Sequence, residues 1–350
     1  ERNVQNILLE GLRRLEYRGY DSAGMAVLSN DARLNRQRTA GKVARLETRL
    51  QEVPLEGVVG IAHTRWATHG RPNEQNAHPH QSGDSLAVVH NGIIENHERL
   101  KAELEGQGYV FTSETDTEVV AHLLAREFNR SHDLLAAVQS AVATLEGAYA
   151  LGVVHKQQPD VIVGARKGSP LVVGVGIEEA FLASDPLALL QVTDRFIYLQ
   201  EGDVVRLAKG GDIAVHDASG QAQARPVQTY EHGDGVASKD GYRHFMLKEI
   251  HEQPQVIAAT LEGRLTERHV LVRSFGLEAE SLLAQVRQIH IVACGTSYHA
   301  GMVARYWLER YAGIPTQVEV ASEYRYRQVV VPEGTLFVTL SQSGETADTL

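Results

Sequence analysis

The first apolar positions, Val4, Ile7, Leu8, Leu12 and Leu15, recur at steps of three and four, the spacing of one face of an amphipathic helix. Arg18-Gly19-Tyr20-Asp21-Ser22-Ala23-Gly24 then predicts a turn into a short strand over 25–28. Further apolar runs predict strands over 57–63, 86–90, 148–155, 161–165 and 171–175. Between them, 115–130 reads as a helix. Thr115 and Glu118 have the spacing of a capping box, and Val120, Leu123, Leu124 and Phe128 make the apolar face. A second helix is predicted over 134–145. Many strands joined by turns, with few helices, predict a layered α+β domain with antiparallel sheets over residues 1–219.

The pattern changes after that. Residues 220–241 are polar, rich in Gln and Gly and weakly periodic, which predicts a linker. Residues 242–350 then follow a different rule. A helix is predicted over 245–263. The continuous apolar strand 289–293 runs into Cys294-Gly295-Thr296-Ser297 and a helix reaching 311. A second apolar strand, 336–340, leads into Ser341-Gln342-Ser343-Gly344-Glu345-Thr346. Strands apolar on both faces, each followed by a polar loop and a helix, predict a parallel α/β sheet. Such a three-layer domain needs more strands than these, so it is expected to be truncated here.

Composition narrows the function. A chain of 350 residues is long enough for two cores. Its net charge of −10 excludes a nucleic-acid groove, which needs clustered Lys and Arg. A small anion remains admissible, because backbone N–H groups at a helix start bind phosphate without a basic protein around them. The single cysteine, Cys294, excludes a disulfide framework and fits a reducing cytoplasm. No apolar run approaches the ~20 residues of a membrane span, and the first residues lack a signal-peptide pattern. The histidines have neither the helical pairing nor the Cys partners of a zinc motif, so no metal and no cofactor are expected.

Candidate chemistry gathers at strand ends. His63-Thr64-Arg65-Trp66-Ala67-Thr68-His69-Gly70 offers a guanidinium, an indole and imidazoles, and Arg65 suits bidentate binding of a carboxylate. Asn76-Ala77-His78-Pro79-His80 adds two imidazoles on a Pro-stiffened loop. His90-Asn91-Gly92 joins a side-chain amide to a glycine N–H, a pairing that can stabilise the oxyanion of acyl transfer. The same dipeptide is also the commonest hairpin turn. In Ser113-Glu114-Thr115-Asp116-Thr117, Asp116 could hold an ammonium group or merely cap its helix. In the second half, Thr296 and Ser297, with Ser341, Gln342, Ser343 and Thr346, sit where helix dipoles and free N–H groups favour a phosphate. Ordinary helix capping is the alternative.

Taken together, Glu16–Gly24, His63–Gly70, Asn76–His80, Val89–Asn96, Ser113–Glu118 and both polar loops of the second half resemble the glutamine–fructose-6-phosphate aminotransferase (isomerizing) family, along essentially the whole chain. The resemblance implies an N-terminal-nucleophile (class II glutamine amidotransferase) domain followed by a sugar isomerase (SIS) domain. It implies that L-glutamine is bound through Arg65 and Asp116, with Trp66, Thr68, His69 and His78 lining the pocket and Arg18 nearby. Asn91 and Gly92 would form the oxyanion hole. Thr296, Ser297, Ser341, Gln342, Ser343 and Thr346 would contact fructose 6-phosphate, and the assembly would be a homodimer. The family's nucleophile is a cysteine heading an opening strand, Cys-Gly-Ile-Val, which this sequence lacks, and Cys294 is expected to be a buried, inert residue. The intact parent is thus expected to make glucosamine 6-phosphate, while the chain alone is expected to be inactive, with an apolar slot where that strand would pack. A non-catalytic binding fragment and an amidotransferase with another acceptor are the alternatives.

Overall fold

The computed structural model describes residues 2–16, 19–29, 31–65, 70–230, 242–261, 263–266, 269–276 and 278–341. Residues 1–277 form one compact unit and 278–350 a second. No helix among the described residues is long and apolar enough to cross a membrane.

The first unit opens with helix α1 (Gln5–Leu15), strands β1 (Ser22–Leu28) and β2 (Leu34–Ala40), helix α2 (Val43–Glu52) and strand β3 (Val59–Arg65). Strand β1 is buried throughout and lies at the centre of an antiparallel sheet ordered β2-β1-β3. Leu9 and Leu12 of α1 and Val43, Leu46 and Leu50 of α2 pack with Met25 and Val27 of that sheet. Strand β3 begins and ends two residues later than the apolar run predicts, so Arg65 is its last residue.

Strands β4 (His80–Ser82) and β5 (Leu86–Ile94) are followed by helices α3 (His97–Gly106), α4 (Asp116–Ser131) and α5 (Leu134–Val142). Then come β6 (Gly147–His155), β7 (Val161–Lys167), β8 (Val172–Val175), β9 (Ala180–Ala183), β10 (Arg195–Tyr198), β11 (Val204–Ala208) and β12 (Asp212–His216). Two short strands, β13 (Ala222–Gln223) and β14 (Val227–Thr229), and helix α6 (Phe245–Leu261) complete the regular elements. The segment whose polarity predicts a linker therefore carries two strands, and α6 belongs to the first compact unit.

The strands form a seven-stranded sheet ordered β13-β12-β11-β7-β6-β5-β4 and a four-stranded sheet ordered β14-β10-β8-β9. Leu123, Leu124 and Phe128 of α4 and Leu134 and Val138 of α5 cover one face of the larger sheet, against Val88, Leu151 and Val153. Its other face meets the three-stranded sheet through Ala87, Val154, Ala26 and Ile61. It meets the four-stranded sheet through Val205, Leu207, Val173 and Ile197. The result is a helix–sheet–sheet–helix stack, in which each sheet face buries its apolar side chains against a neighbour.

The second unit contains α7 (Ala279–Leu283), β15 (Gln288–Ala293), α8 (Gly295–Trp307), β16 (Thr316–Val320), α9 (Ala321–Arg325) and β17 (Thr335–Leu340). Its sheet is parallel, ordered β16-β15-β17, with Ala293 opposite Leu340. The loops beginning at Cys294 and Ser341 therefore leave neighbouring strands at the same level. That is the carboxyl edge of the sheet, where open α/β folds bind ligands.

Candidate active site

A cavity of about 880 Å³ in the first unit is lined by His63, Arg65, His78, Asn91, Gly92 and Asp116 among others. Alternation along β3 puts His63 and Arg65 on one face, two residues apart. Asn91 and Gly92 come from β5 and Asp116 from the first residue of α4. His78 is carried by the loop before β4.

Asn91 and Gly92 do not form a hairpin turn. They lie inside β5, opposite Ala150 and Tyr149 of β6. Gly92 has φ +130°, and a Cβ there would sit 2.0 Å from the carbonyl oxygen of Ala148, so only glycine fits. The amide of Asn91 is engaged from the neighbouring sheet: His63 Nε2 lies 2.6 Å from Asn91 Oδ1.

Asp116 is not the helix cap either. That position belongs to Thr115, whose Oγ1 accepts from Glu118 N at 3.3 Å. Asp116 is buried, and its Oδ2 accepts from the backbone N–H of Ile94 at 2.9 Å. Arg65 is also buried and donates through Nη2 to Gly70 O at 3.3 Å. Burial lowers the Arg65 pKa, opposed by the carboxylates of Asp116, Asp21 and Glu114. A guanidinium and a carboxylate opening on one cavity can hold the two charged ends of a free α-amino acid.

The loops around them are tied down. Glu118 accepts from the N–H and hydroxyl groups of both Thr112 and Ser113, at 2.6–3.0 Å. Burial alone would raise the pKa of this carboxyl, but those hydrogen bonds outweigh it and leave the pKa lowered. Asn76 and Glu114 bond reciprocally, Nδ2 to Oε2 and N to Oδ1, each at 2.9 Å. Arg36 of β2 donates to Pro79 O at 3.1 Å and Arg38 to Ala77 O at 2.8 Å, pinning the loop that bears His78. Gly24 lets that loop lie on β1, since a Cβ there would be 2.1 Å from His78 O.

Three imidazoles, those of His63, His78 and His90, line the cavity, and the buried His80 ring packs against that of His78. Burial pushes His63 down to about 4 and holds His78, His80 and His90 below the ordinary histidine range, so all are neutral at pH 7. The rings of His63 and His78 lie 4.3 Å apart. His80 Nε2 is 3.0 Å from Thr115 Oγ1, and His90 Nδ1 is 3.0 Å from Thr117 Oγ1. Among the described residues, no three His, Cys, Asp or Glu side chains are placed to hold a metal ion. Sequence reasoning counted the His63 imidazole among the candidate groups and quoted His90 beside Asn91, but gave neither residue a role. The even spacing of His63 and Arg65 along one strand was the available signal for the first. Arg18, Trp66, Thr68 and His69 lie outside the described residues.

A second cavity, of about 650 Å³, lies between two sheet edges. Gly60, Ile61 and Ala62 of β3 form one wall, and Phe181 and Leu182 of β9 form another. It shares His63, His90 and Asn91 with the first cavity.

In the second unit, Cys294 occupies the N-cap position of α8, and its side chain makes no capping hydrogen bond. Cys294 is half-buried rather than fully buried. Thr296 is exposed and Ser297 half-buried in the first turn, and Ser341 is exposed after β17. Gln342, Ser343 and Thr346 lie outside the described residues.

Residues 63–191 match the glutamine amidotransferase domain family and residues 282–350 the SIS domain family. Over all 350 residues the chain is 61% identical to the glutamine–fructose-6-phosphate aminotransferase (isomerizing) of Pseudomonas putida, 62% to that of Pseudomonas aeruginosa and 57% to that of Legionella pneumophila. Over its whole length the chain is thus similar to part of the glutamine–fructose-6-phosphate aminotransferases. It spans 57–58% of the length of these relatives. The glutamine phosphoribosylpyrophosphate amidotransferase of B. subtilis, solved with ADP and GMP, superposes with a TM-score of 0.50 at 19% identity, covering 94% of this chain and 66% of that one. A structure described as the allosteric regulatory enzyme of purine biosynthesis gives 0.51 at 21%, covering 94% and 65%. Likeness at that identity shows the fold alone. The two matched domain families account for both architectures, a class II glutamine amidotransferase domain with layered antiparallel sheets and an α/β SIS domain with a parallel sheet.

Proposed function

We propose that the chain serves the transfer of the amide nitrogen of L-glutamine to D-fructose 6-phosphate, giving D-glucosamine 6-phosphate and L-glutamate. The observation that carries this reading is the convergence of Arg65, Asp116, Asn91 and Gly92 on one cavity. Arg65 binds the glutamine α-carboxylate and Asp116 the α-ammonium, which places the side-chain amide beside β5. A cysteine thiolate attacks the amide carbon. The oxyanion that forms is stabilised by Asn91 Nδ2–H and the N–H of Gly92. Collapse of the intermediate, with a proton passed to the nitrogen, releases ammonia and leaves a glutamyl thioester, which water hydrolyses to glutamate and free thiol.

By the family resemblance the thiol is that of the cysteine heading the family's opening strand rather than Cys294. It is carried on an extended apolar segment lying in the 650 Å³ slot, where it pairs with the outer edge of β3 and reaches the glutamine cavity beside Asn91. Fructose 6-phosphate binds at the carboxyl edge of β15 and β17, with its phosphate at the head of α8 near Thr296 and Ser297, joined by Ser341, Gln342, Ser343 and Thr346. The family resemblance supports a homodimer, and the single half-buried cysteine supports a reducing, cytoplasmic setting.

Glutamine labelled with nitrogen-15 in its amide, incubated with fructose 6-phosphate and the full-length gene product, is expected to label glucosamine 6-phosphate. Label released only as ammonia would overturn the proposed acceptor. Ammonia release by residues 1–350 alone would overturn the proposed nucleophile.

A further inference from the structure

An asparagine side chain presents a carbonyl oxygen on one side and an NH₂ group on the other, of nearly equal size. Packing does not tell them apart, so hydrogen bonding decides which end faces the substrate. At Asn91 the deciding group is His63, whose Nε2 lies 2.6 Å from Oδ1 across the gap between β3 and β5. A carbonyl oxygen only accepts, so Nε2 carries the hydrogen and donates it. His63 is neutral, because burial holds its pKa at about 4, and a neutral imidazole has a single N–H. Nδ1 is then bare, and it has no hydrogen-bond partner among the described residues. The opposite tautomer would set a lone pair against Oδ1 and favour a flipped amide. Asn91 would then offer an acceptor where negative charge develops.

We propose that His63 is a positioning residue for amide hydrolysis: its Nε2–H captures Asn91 Oδ1 and thereby aims Nδ2–H₂ at the oxyanion. The inference rests on the reading of Asn91 given above. The ring is well placed for this task. Its strand is paired along its length with β1, and its face lies against the His78 ring at 4.3 Å with a 36° tilt. The Arg36 and Arg38 bonds that pin the His78 loop therefore also steady the imidazole.

The test is glutamine hydrolysis by the full-length gene product. His63→Leu is expected to lower kcat about 10- to 100-fold. KM should stay within about twofold, because ground-state binding through Arg65 and Asp116 is untouched. His63→Gln carries an N–H near the same point and is expected to restore most of kcat. Asn91→Ala separates the two levels of the argument, with an expected loss of about 100- to 1,000-fold. If Asn91→Ala has no effect, the oxyanion reading fails. If it has its full effect while His63→Leu has none, or His63→Gln is no better than His63→Leu, only the positioning role fails. Should the variants not fold, imidazole nitrogen-15 shifts of the unaltered protein decide. The Nε2–H tautomer supports the assignment and the Nδ1–H tautomer overturns it.

Discussion

Around the cavity of the first unit, Asn91, Asp116 and the segments beside them are already held. Asn91 is bonded to His63, Asp116 to the Ile94 N–H, the segment leading into α4 is clamped by Glu118, and the Asn76–Glu114 pair ties it to the segment leading into β4. At the carboxyl edge of β15 and β17 the contrast is plain. The Cys294 side chain makes no capping hydrogen bond to α8, and Thr296 is exposed. The first arrangement suits a reaction in which charge must meet fixed dipoles as it appears, since ordering was completed during folding. The second suits recognition of an anion that brings its own charge, with backbone N–H groups as the constant part.

Acid should break the contrast hardest. His63 is pushed from 6.5 to about 4, and His78, His80 and His90 are lowered with it. Each therefore contributes stability that is complete above pH ~6.5, where the unfolded histidine is also neutral, and that is lost as pH falls toward the folded value. For His63 the loss is about 3 kcal/mol by pH 4. Hydrogen exchange of β3 and β5 amides, followed from pH 7 to pH 4, should show protection falling through that window. Flat protection would mean that the imidazoles are not held neutral by burial.

A smaller effect probes the other side. Ser297→Ala in the full-length gene product should weaken fructose 6-phosphate binding by about 1 kcal/mol, or roughly fivefold in Kd by calorimetry, the worth of one hydrogen bond. Glutamine hydrolysis without the sugar should be unchanged. A Kd equal to that of the unaltered protein would remove Ser297 from the phosphate site.

Part of this was legible in the sequence, and the reasons are physical. Helix α4 announces itself because Thr115 and Glu118 cap it and its apolar residues keep helical spacing. The parallel strands β15 and β17 are legible as unbroken apolar runs. Strand β2 is not, because its alternate positions hold Arg36 and Arg38, which serve as clamps on a distant loop rather than as core. Helix α3 contributes only Leu100 and Leu104 to the core, too few to set a period, and β16 is a short sheet edge with polar alternation. In the site, Arg65 and Asp116 stood out through their charge. The ambiguity of Asn91-Gly92 could be settled only by the pairing of β5 with β6. The role of His63 was not legible because its partner lies 28 residues away, on a different sheet.

The central claim is that the cavity beside β5 takes glutamine with its two charged ends on Arg65 and Asp116. A crystal structure of the full-length gene product with L-glutamate, the product and a close mimic, tests it directly. The account predicts the α-carboxylate against the Arg65 guanidinium, the α-ammonium against Asp116, and the side-chain carboxylate within hydrogen-bond reach of Asn91 and Gly92. Glutamate bound elsewhere, with Arg65 and Asp116 serving only the loop and strand they now contact, would contradict it.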